Sequence, residues 1–208
     1  ESVLLSTVGN MDIDKATTSL VSILKAFNIE VDESRKVIDM VNEVGNKFAI
    51  SQEDITEILK RSSAAMREAN NSLAETIALG TGAQEIQQDA SRVGTALRTI
   101  SMRIRGISDE GEDLTDLLPT MEKQFNAIGL TLRKDENTFK STYEIMKDLS
   151  EVWEDLTDMQ RADILESVAG KRQSQIVAAL LGNFESVEEA LKTAENSMGS
   201  AQAEWERF

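Results

Sequence analysis

The sequence predicts an all-α fold, a multi-helix bundle of short amphipathic helices, and three observations support this prediction. Apolar residues recur at intervals of three and four along most of the chain, the spacing that places them on one face of a helix. The 208 residues include one proline, and only 4% of them are aromatic. Residues that lose little side-chain freedom in a helix, such as alanine, leucine, glutamate and lysine, are frequent. We expect about nine or ten helices.

The first predicted helix pair lies near the amino terminus. One apolar stripe runs through 13–27 and a second through 37–44. Asp32 or Ser34 is expected to cap the second helix by accepting hydrogen bonds from its free amide groups. Gly45 is expected to end that helix, because glycine adopts a left-handed backbone at little cost.

The second predicted pair begins at Ser51, where Asp54 completes a capping-box pattern. Its other helix follows Ser72 and is expected to end at Gly80 and Gly82. The two pairs correspond at an offset of 39 residues, which is typical of a helix-pair repeat. The matching positions are Leu20 with Leu59, Ala26 with Ala65, Phe27 with Met66, and Ile38 with Ile77. Two amphipathic pairs also share positions by chance, and the sequence leaves both explanations open.

A basic segment follows in the helix predicted from Asp89 to Arg105. Four arginines and no acidic residue lie between Arg92 and Ile107, although the whole chain carries a formal charge of −15. In one interpretation these arginines pair with the acidic residues of 109–113. In the other they form a docking stripe for an acidic protein partner. The candidate interaction residues of this segment are Arg98, Arg103 and Arg105.

Two glycines at the acidic run mark the predicted domain boundary. Gly106 precedes the run and Gly111 lies within it, and the apolar stripes stop there. We therefore expect an N-terminal helical sub-bundle with two helix-pair units at 1–107, an acidic connector at 108–116, and a C-terminal helical sub-bundle at 117–208.

The strongest apolar pattern lies in the C-terminal third. A short helix is expected from about Leu118, because Pro119 is tolerated in a first turn. One long stripe then runs from Thr138 to Leu156 and is expected to be helical. Leu149 and Trp153 belong to this stripe and are predicted core residues as well as candidate protein-interaction residues.

The remaining helices are delimited by capping patterns and glycines. Capping patterns at 157–160 and 186–189 predict two helix starts. Gly170 is expected to interrupt the first of these helices and Gly182 to end it. The tail from Gly199 onward is expected to be helical.

Composition and motif spacing argue against catalytic, cofactor and metal sites. The chain has no cysteine and no histidine, which removes thiol nucleophiles, imidazole bases and the usual zinc ligands. Residues 169–173 contain the Gly-Lys step of a phosphate loop, but the upstream glycine and the preceding strand are missing. Close carboxylate pairs are expected by chance among 37 acidic residues. We predict that the chain is not an enzyme and needs no cofactor or metal.

Charge and hydropathy also limit the partners. With 22 basic and 37 acidic residues, this segment is not expected to bind nucleic acid phosphates. No apolar run approaches the roughly 18 residues that a membrane span needs, so membrane contact is not predicted for this segment. Because the chain begins with Glu1 and not with methionine, we expect it to be a piece of a longer or processed protein.

Four stretches taken together resemble the core region of bacteriophage tail tape-measure proteins. They are AISQEDITEILKRSSAAMREANNSLAETIALGTGAQE at 49–85, VGTALRTISMRIRG at 93–106, STYEIMKDLSEVWEDLTDMQRADILESVAGKRQSQIVAALLGNF at 141–184, and ALKTAENSMGSAQAE at 190–204. The 93–106 stretch is the most specific of the four. The acidic segment at 108–116 departs from the pattern, since such proteins vary in length there.

The resemblance implies a structural, non-enzymatic protein of a phage or prophage. Tape-measure proteins fill the lumen of the growing tail tube, set its length and leave through it at infection. The implied partners are other tape-measure copies, tail tube proteins and tail-assembly chaperones, with self-association in the tail. The implied location is the virion tail, assembled in the cytoplasm of the bacterial host. A helical protein–protein interaction module of bacterial origin, an adaptor or a chaperone-like bundle, is the alternative.

Overall fold

The computed structural model describes residues 1–108 and 114–207. Within them the chain forms eleven α-helices and one short hairpin, which confirms the predicted all-α class. The helices are α1 Ser2–Val8, α2 Ile13–Phe27, α3 Ser34–Lys47, α4 Gln52–Glu68, α5 Leu73–Gln87, α6 Ala90–Arg103, α7 Leu117–Ala127, α8 Thr142–Val152, α9 Asp158–Gly182, α10 Phe184–Glu195 and α11 Ser200–Trp205. The hairpin strands are β1 Arg133–Asp135 and β2 Thr138–Phe139, and 3-10 turns lie at Val31–Glu33 and Trp153–Asp155.

Capping boxes fix the start of four helices. In each box the cap hydroxyl accepts a hydrogen bond from an amide one turn later, and the side chain at that later position accepts one from the amide of the cap. The four pairs are Ser51 with Asp54, Ser72 with Glu75, Ser141 with Glu144, and Thr157 with Gln160. The first and the last confirm the capping boxes that the sequence predicted.

Helix α5 is the centre of the molecule. Every residue from 76 to 84 is buried, so no face of this part of the helix is open to solvent. Helices α4, α6, α9 and α10 all pack against it. The buried apolar side chains of the described residues form one core to which all eleven helices contribute.

The prediction that α5 ends at Gly80 and Gly82 is wrong, because both glycines lie inside the helix. Each marks a close approach between helices instead. A Cβ at Gly80 would lie 3.0 Å from Ile58 Cγ2, and a Cβ at Gly82 would overlap Val187 Cγ2. These glycines therefore let α4 and α10 reach the central helix.

The residues predicted to cap α3 at its two ends do not do so. The helix runs through Gly45, which has no positive φ, to Lys47. At its start the capping position is taken by Glu33, whose side chain makes no capping hydrogen bond. The preceding 3-10 turn leads the backbone directly into the helix, so a side-chain cap from Asp32 or Ser34 is not used.

The two predicted helix pairs are α2 with α3 and α4 with α5. The first helices of the two pairs begin at Ile13 and Gln52, which are 39 residues apart. The second helices begin at Ser34 and Leu73, which are also 39 residues apart. The spacing agrees with the offset of 39 residues in the sequence. The match of helix starts favours a structural repeat over a chance correspondence of apolar residues.

The stripe from Thr138 to Leu156 is not one helix, and this prediction needs correction. Thr138 and Phe139 form β2, which pairs with β1 in an antiparallel hairpin. The Asp135 carboxylate accepts a hydrogen bond from the Asn137 amide at 2.9 Å and so stabilises the turn. The helical part of the stripe begins at Thr142, after the cap formed by Ser141.

Helix α9 has the predicted interruption at Gly170, where φ is +65° inside an otherwise helical segment. It ends at Gly182, as predicted. The capping pattern predicted at 186–189 is wrong, because α10 already begins at Phe184. The Ser186 hydroxyl donates to the Glu85 carboxylate of α5 and thereby links α10 to the central helix.

The predicted connector lies mostly outside the described residues, since 109–113 are not described. Helices from before and after it pack on each other: α10 contacts α5 and α3, and α9 contacts α6. The division into sub-bundles at 1–107 and 117–208 stays a prediction.

The close approach at Gly82 predicts a specific loss of stability. Gly82→Ala should lower the free energy of unfolding by about 1–3 kcal/mol, because the new methyl group overpacks the contact with Val187. The loss from overpacking is partly offset by the higher helix propensity of alanine, which stabilises the helix by about 1 kcal/mol relative to glycine. Urea unfolding followed by circular dichroism measures the difference.

Gly182→Ala is the matched control, because nothing lies within 4 Å of a Cβ at that position. It should leave stability unchanged or raise it slightly. If Gly82→Ala were as stable as the parent chain, the assigned role of Gly82 in helix approach would be wrong.

Candidate interaction surfaces

The three arginines predicted as a docking stripe lie in different environments. Arg98 is exposed on α6, Arg103 is buried at the end of that helix, and Arg105 is half-buried just beyond it. The structure therefore does not bring them together as one exposed stripe.

Arg103 lies against the kink of α9. Its Nε donates to the Ser167 carbonyl at 3.1 Å, and its Nη2 donates to the Glu166 carbonyl at 3.3 Å. These carbonyl groups lie at the end of the helical turn before Gly170, where a cation is favoured by the unpaired carbonyl dipoles. A Cβ at Gly170 would lie 3.3 Å from Arg103 Cζ, so the absence of a side chain there makes room for the guanidinium.

Arg105 connects the turn between α4 and α5 with the end of the hairpin. Its Nη2 donates to the carbonyl groups of Ala69 and Lys140, both at 2.9 Å. Its guanidinium also lies over the Phe139 ring, 4.8 Å from the centroid. Burial lowers the pKa of Arg105 from its ordinary value. A chain position that the sequence offered as a surface residue thus acts as a clamp between distant segments.

A buried polar junction lies beside Arg105, and the sequence analysis missed it. We define the junction as Asn71, Ser101 and Thr142. Asn71 Nδ2 donates to Thr142 Oγ1 at 3.1 Å, and the Ser101 and Thr142 hydroxyls lie 2.8 Å apart. The Asn71 side-chain oxygen accepts from the Tyr143 amide at 2.9 Å, near the start of α8. The junction fixes α8 on the turn between α4 and α5.

The two interpretations of the basic segment stay partly open. The acidic residues at 109–113 lie outside the described part of the chain. Among the described contacts, Arg103 and Arg105 donate to main-chain carbonyl groups and so stabilise the fold. The docking role of Arg98 stays a prediction.

Leu149 and Trp153 are core residues, with 0% and 7% of their surfaces exposed. Arg161 covers Trp153: its Cζ lies 5.6 Å from the ring, and its Nε donates to the Trp153 carbonyl at 2.9 Å. The predicted core placement of both residues is confirmed. Contact with a second copy would require this region to open, and that role stays a prediction.

Two of the carboxylates with a shifted pKa, Glu75 and Glu144, belong to capping boxes. Burial raises the pKa of Glu75, and the nearby charge of Glu144 adds to this shift. Burial alone would also raise the pKa of Glu144, but hydrogen bonds from Lys134 and from the Ser141 amide lower it on balance. The distance from Lys134 Nζ to Glu144 Oε1 is 2.9 Å. These shifts follow from helix capping and an ion pair.

The described residues contain no group of three or more acidic side chains that could hold a metal ion. Over 1–108 and 114–207, no helix combines the length and the apolar character that a membrane crossing needs. Neither finding assigns a ligand site to this chain.

The clamp role of Arg105 can be tested against an exposed arginine. Arg105→Met should lower the free energy of unfolding by about 2 kcal/mol, because it leaves two carbonyl groups without their charged donor. Arg67→Met, at an exposed position on α4, should change it by less than about 0.5 kcal/mol. Urea unfolding measures both. Equal losses in the two variants would contradict the clamp role of Arg105.

Comparison with known proteins gives two matches. The family model described as phage-related minor tail protein matches residues 1–170. The probable tape measure protein of Halomonas phage phiHAP-1 is 23% identical over 194 residues, which cover 91% of this chain and 21% of that protein. The chain therefore spans about a fifth of the length of this relative. No solved structure matches the chain.

The family match covers most of the chain and agrees with the resemblance seen at 49–85 and 93–106. It includes α1 to α8 and the first part of α9, up to the kink. The central helix, the polar junction and the arginine clamp all lie within it. By this match the chain belongs to the phage-related minor tail protein family, as a tape-measure-type component of a phage tail.

Proposed function

We propose that this chain is a segment of a tape-measure protein that occupies the lumen of the tail tube, sets tail length and leaves through the tube at infection. The observation that carries the proposal is the family match over 1–170 together with the likeness to a probable tape measure protein over 91% of the chain. Family membership itself supports a structural role in a phage tail.

The proposed ruler role requires an elongated chain. A fully helical, extended arrangement of 208 residues would reach roughly 310 Å, at about 1.5 Å per residue. The folded bundle is far shorter, because its longest helix, α9, has 25 residues and a kink. We propose that the segment is compact before assembly and is extended in the tube.

Extension would expose the apolar faces that the bundle buries. Short helices are marginal in water without tertiary contacts, so these faces need new cover in the tube. We propose that other copies of the tape-measure protein supply it by coiled-coil-like packing through the helical part of 138–156. Leu149 and Trp153 would then exchange contacts within the chain for contacts between chains.

The proposed partners are other tape-measure copies, tail tube proteins and tail-assembly chaperones, which meet in the cytoplasm of the bacterial host. The role is structural and non-enzymatic. The formal charge of −15 supports contact with proteins and opposes a hold on nucleic acid. Neither the family match nor the similar tape measure protein supports the alternative of a bacterial adaptor or chaperone-like bundle.

Tail length tests the ruler role directly. An in-frame duplication of residues 1–208 in the parent gene should lengthen the tail by up to roughly 310 Å if the added segment is extended. Electron microscopy of purified tails measures the change. A small increase would mean that the segment stays folded in the tube, and an unchanged length would contradict the ruler role.

Core substitutions test the compact state and its exchange. Leu149→Ala and Trp153→Ala should each lower the free energy of unfolding of the isolated chain by several kcal/mol, on the scale of about 2–5 kcal/mol for large-to-small core changes. Both should also lower the yield of full-length tails. Met159→Ala, at a residue that is 78% exposed, is the control.

The two readouts separate the two claims. Parent-like unfolding of Leu149→Ala and Trp153→Ala would contradict their core role. A loss of stability in the isolated chain with normal tail yield would contradict the proposed exchange through this stripe.

A further inference from the structure

Helix α3 has a polar side that is covered by α11. We define the polar stripe as Arg35, Asp39, Asn42, Glu43 and Asn46, whose spacing places them along one side of the helix. Each of these five side chains contacts α1, α11 or the residue before α11. The apolar side of α3 is turned to the core. The polar stripe is therefore a docking face that is separate from the core.

Asp39 holds the start of α11. Its carboxylate is almost completely buried and accepts from the Gly199 amide at 2.9 Å and from the Ala201 amide at 3.0 Å. It thereby supplies the cap that α11 lacks in its own sequence, since Gly199 occupies the capping position. Asn42 donates to the Ser200 hydroxyl at 2.8 Å, and that hydroxyl lies 2.6 Å from the Glu43 carboxylate.

The rest of α11 is held by side-chain hydrogen bonds, by the buried Ala201 and by packing on α1. Arg35 Nη1 donates to the Gln202 side-chain oxygen at 3.1 Å. Ala201 is the buried residue of this helix, whereas Trp205 remains 40% exposed. Segments with few buried apolar contacts open at a lower free energy than the core. Helix α11 packs on α1 and α3, so its opening uncovers Ala201 and the surfaces of these two helices, while the helices packed around α5 keep their contacts with one another.

Two further features favour release of α11. The side-chain oxygen of Asn42 is buried beneath it without a hydrogen-bond partner, and such a group costs about 1–3 kcal/mol that contact with water would recover. The residues between α10 and α11 include Met198, which is 94% exposed, and Gly199, with φ of +82°. The connection thus holds the buried Ser197 but has exposed residues directly before α11.

We infer that the polar stripe is an exchange site that binds α11 of its own chain in the isolated molecule and α11 of a second copy where copies lie side by side. This inference rests on the proposed tape-measure function for the side-by-side arrangement. The same hydrogen bonds form in both states, so exchange of an identical helix has a low cost. The local concentration of copies then decides which state prevails.

A second copy is the occupant that the geometry favours. Asp39 approaches the backbone of Gly199 and Ala201 closely, and Ser200 reaches both Asn42 and Glu43. The site therefore fits a helix start with three small residues, the middle one bearing a hydroxyl, followed by a side chain that accepts from Arg35. The sequence Gly-Ser-Ala-Gln at 199–202 has this pattern, and every copy carries it.

Because the chain has no cysteine, a thiol cross-linker reacts only with the cysteines that are introduced. Arg35→Cys in one copy and Gln202→Cys in another place single thiols on the two sides of the contact, and both residues have exposed side chains. The two purified 1–208 chains are mixed at high concentration and treated with a short bis-maleimide. We expect several-fold more cross-linked dimer than from Gln202→Cys mixed with Lys60→Cys, an exposed control position on α4.

Asp39→Asn added to the Arg35→Cys copy should return the dimer to the control level, because an NH2 donor replaces one of the two carboxylate oxygens that accept from the Gly199 and Ala201 amides. A chain that carries both cysteines should cross-link within itself when dilute, as mass spectrometry of its peptides would show. Equal dimer in the test and control mixtures, with an intact internal cross-link, would overturn the inference. Absence of the internal cross-link would overturn the contact on which it depends.

The outcome is independent of the tail-length experiment, because no tail is present. A failed cross-link with a lengthened tail would reject the exchange and keep the ruler role. A positive cross-link with an unchanged tail length would support the exchange and reject the ruler role.

Discussion

The close approach of neighbouring helices to α5 is the constraint on which the rest of the structure depends. A helix buried on all sides must offer small surfaces to several neighbours at once, and α5 does so with Gly80 and Gly82. Gly94 of α6 has the same role, since a Cβ there would lie 3.1 Å from Ile58 Cα of α4. Helices from early and late in the chain thus meet at one dense centre, where packing leaves no room for added volume.

Much of this fold could be predicted from local sequence, but the roles of the glycines could not. Capping boxes such as Ser51 with Asp54 are predictable because all their partners lie within one turn. A glycine has two opposite uses: it permits a left-handed backbone, as at Gly170, or it permits close helix contact, as at Gly82. The choice depends on which helices meet in space, and the pattern along the chain does not contain that information.

The candidate interaction residues show the same limit. The sequence revealed the charge of Arg103 and Arg105 but not the direction of their side chains. Their described partners are carbonyl groups more than thirty residues away, and the buried junction of Asn71 with Thr142 joins equally distant segments. The only local sign of this junction was the polar sequence of the turn between α4 and α5, which contains Asn71. Leu149 and Trp153 were predictable as core residues because an apolar stripe indicates burial directly.

The free-energy cost of opening a helix contact falls from the centre of this bundle to its edge. This difference bears on how a folded segment could become extended. Around α5, opening a contact exposes apolar surface and is costly, at roughly 25 cal/mol for each Å². Around α11, opening a contact exposes the polar stripe of α3, the buried Ala201 and the part of α1 that packs on α11. The cost is smaller there, because α11 buries one residue whereas α5 buries eleven. Any exchange of contacts between copies should therefore begin at α11 and reach the core helices last. A segment whose helices open in this order can remain compact until a second copy is present. Its least costly step is the release of α11, and the vacated face of α3 can then bind α11 of the second copy.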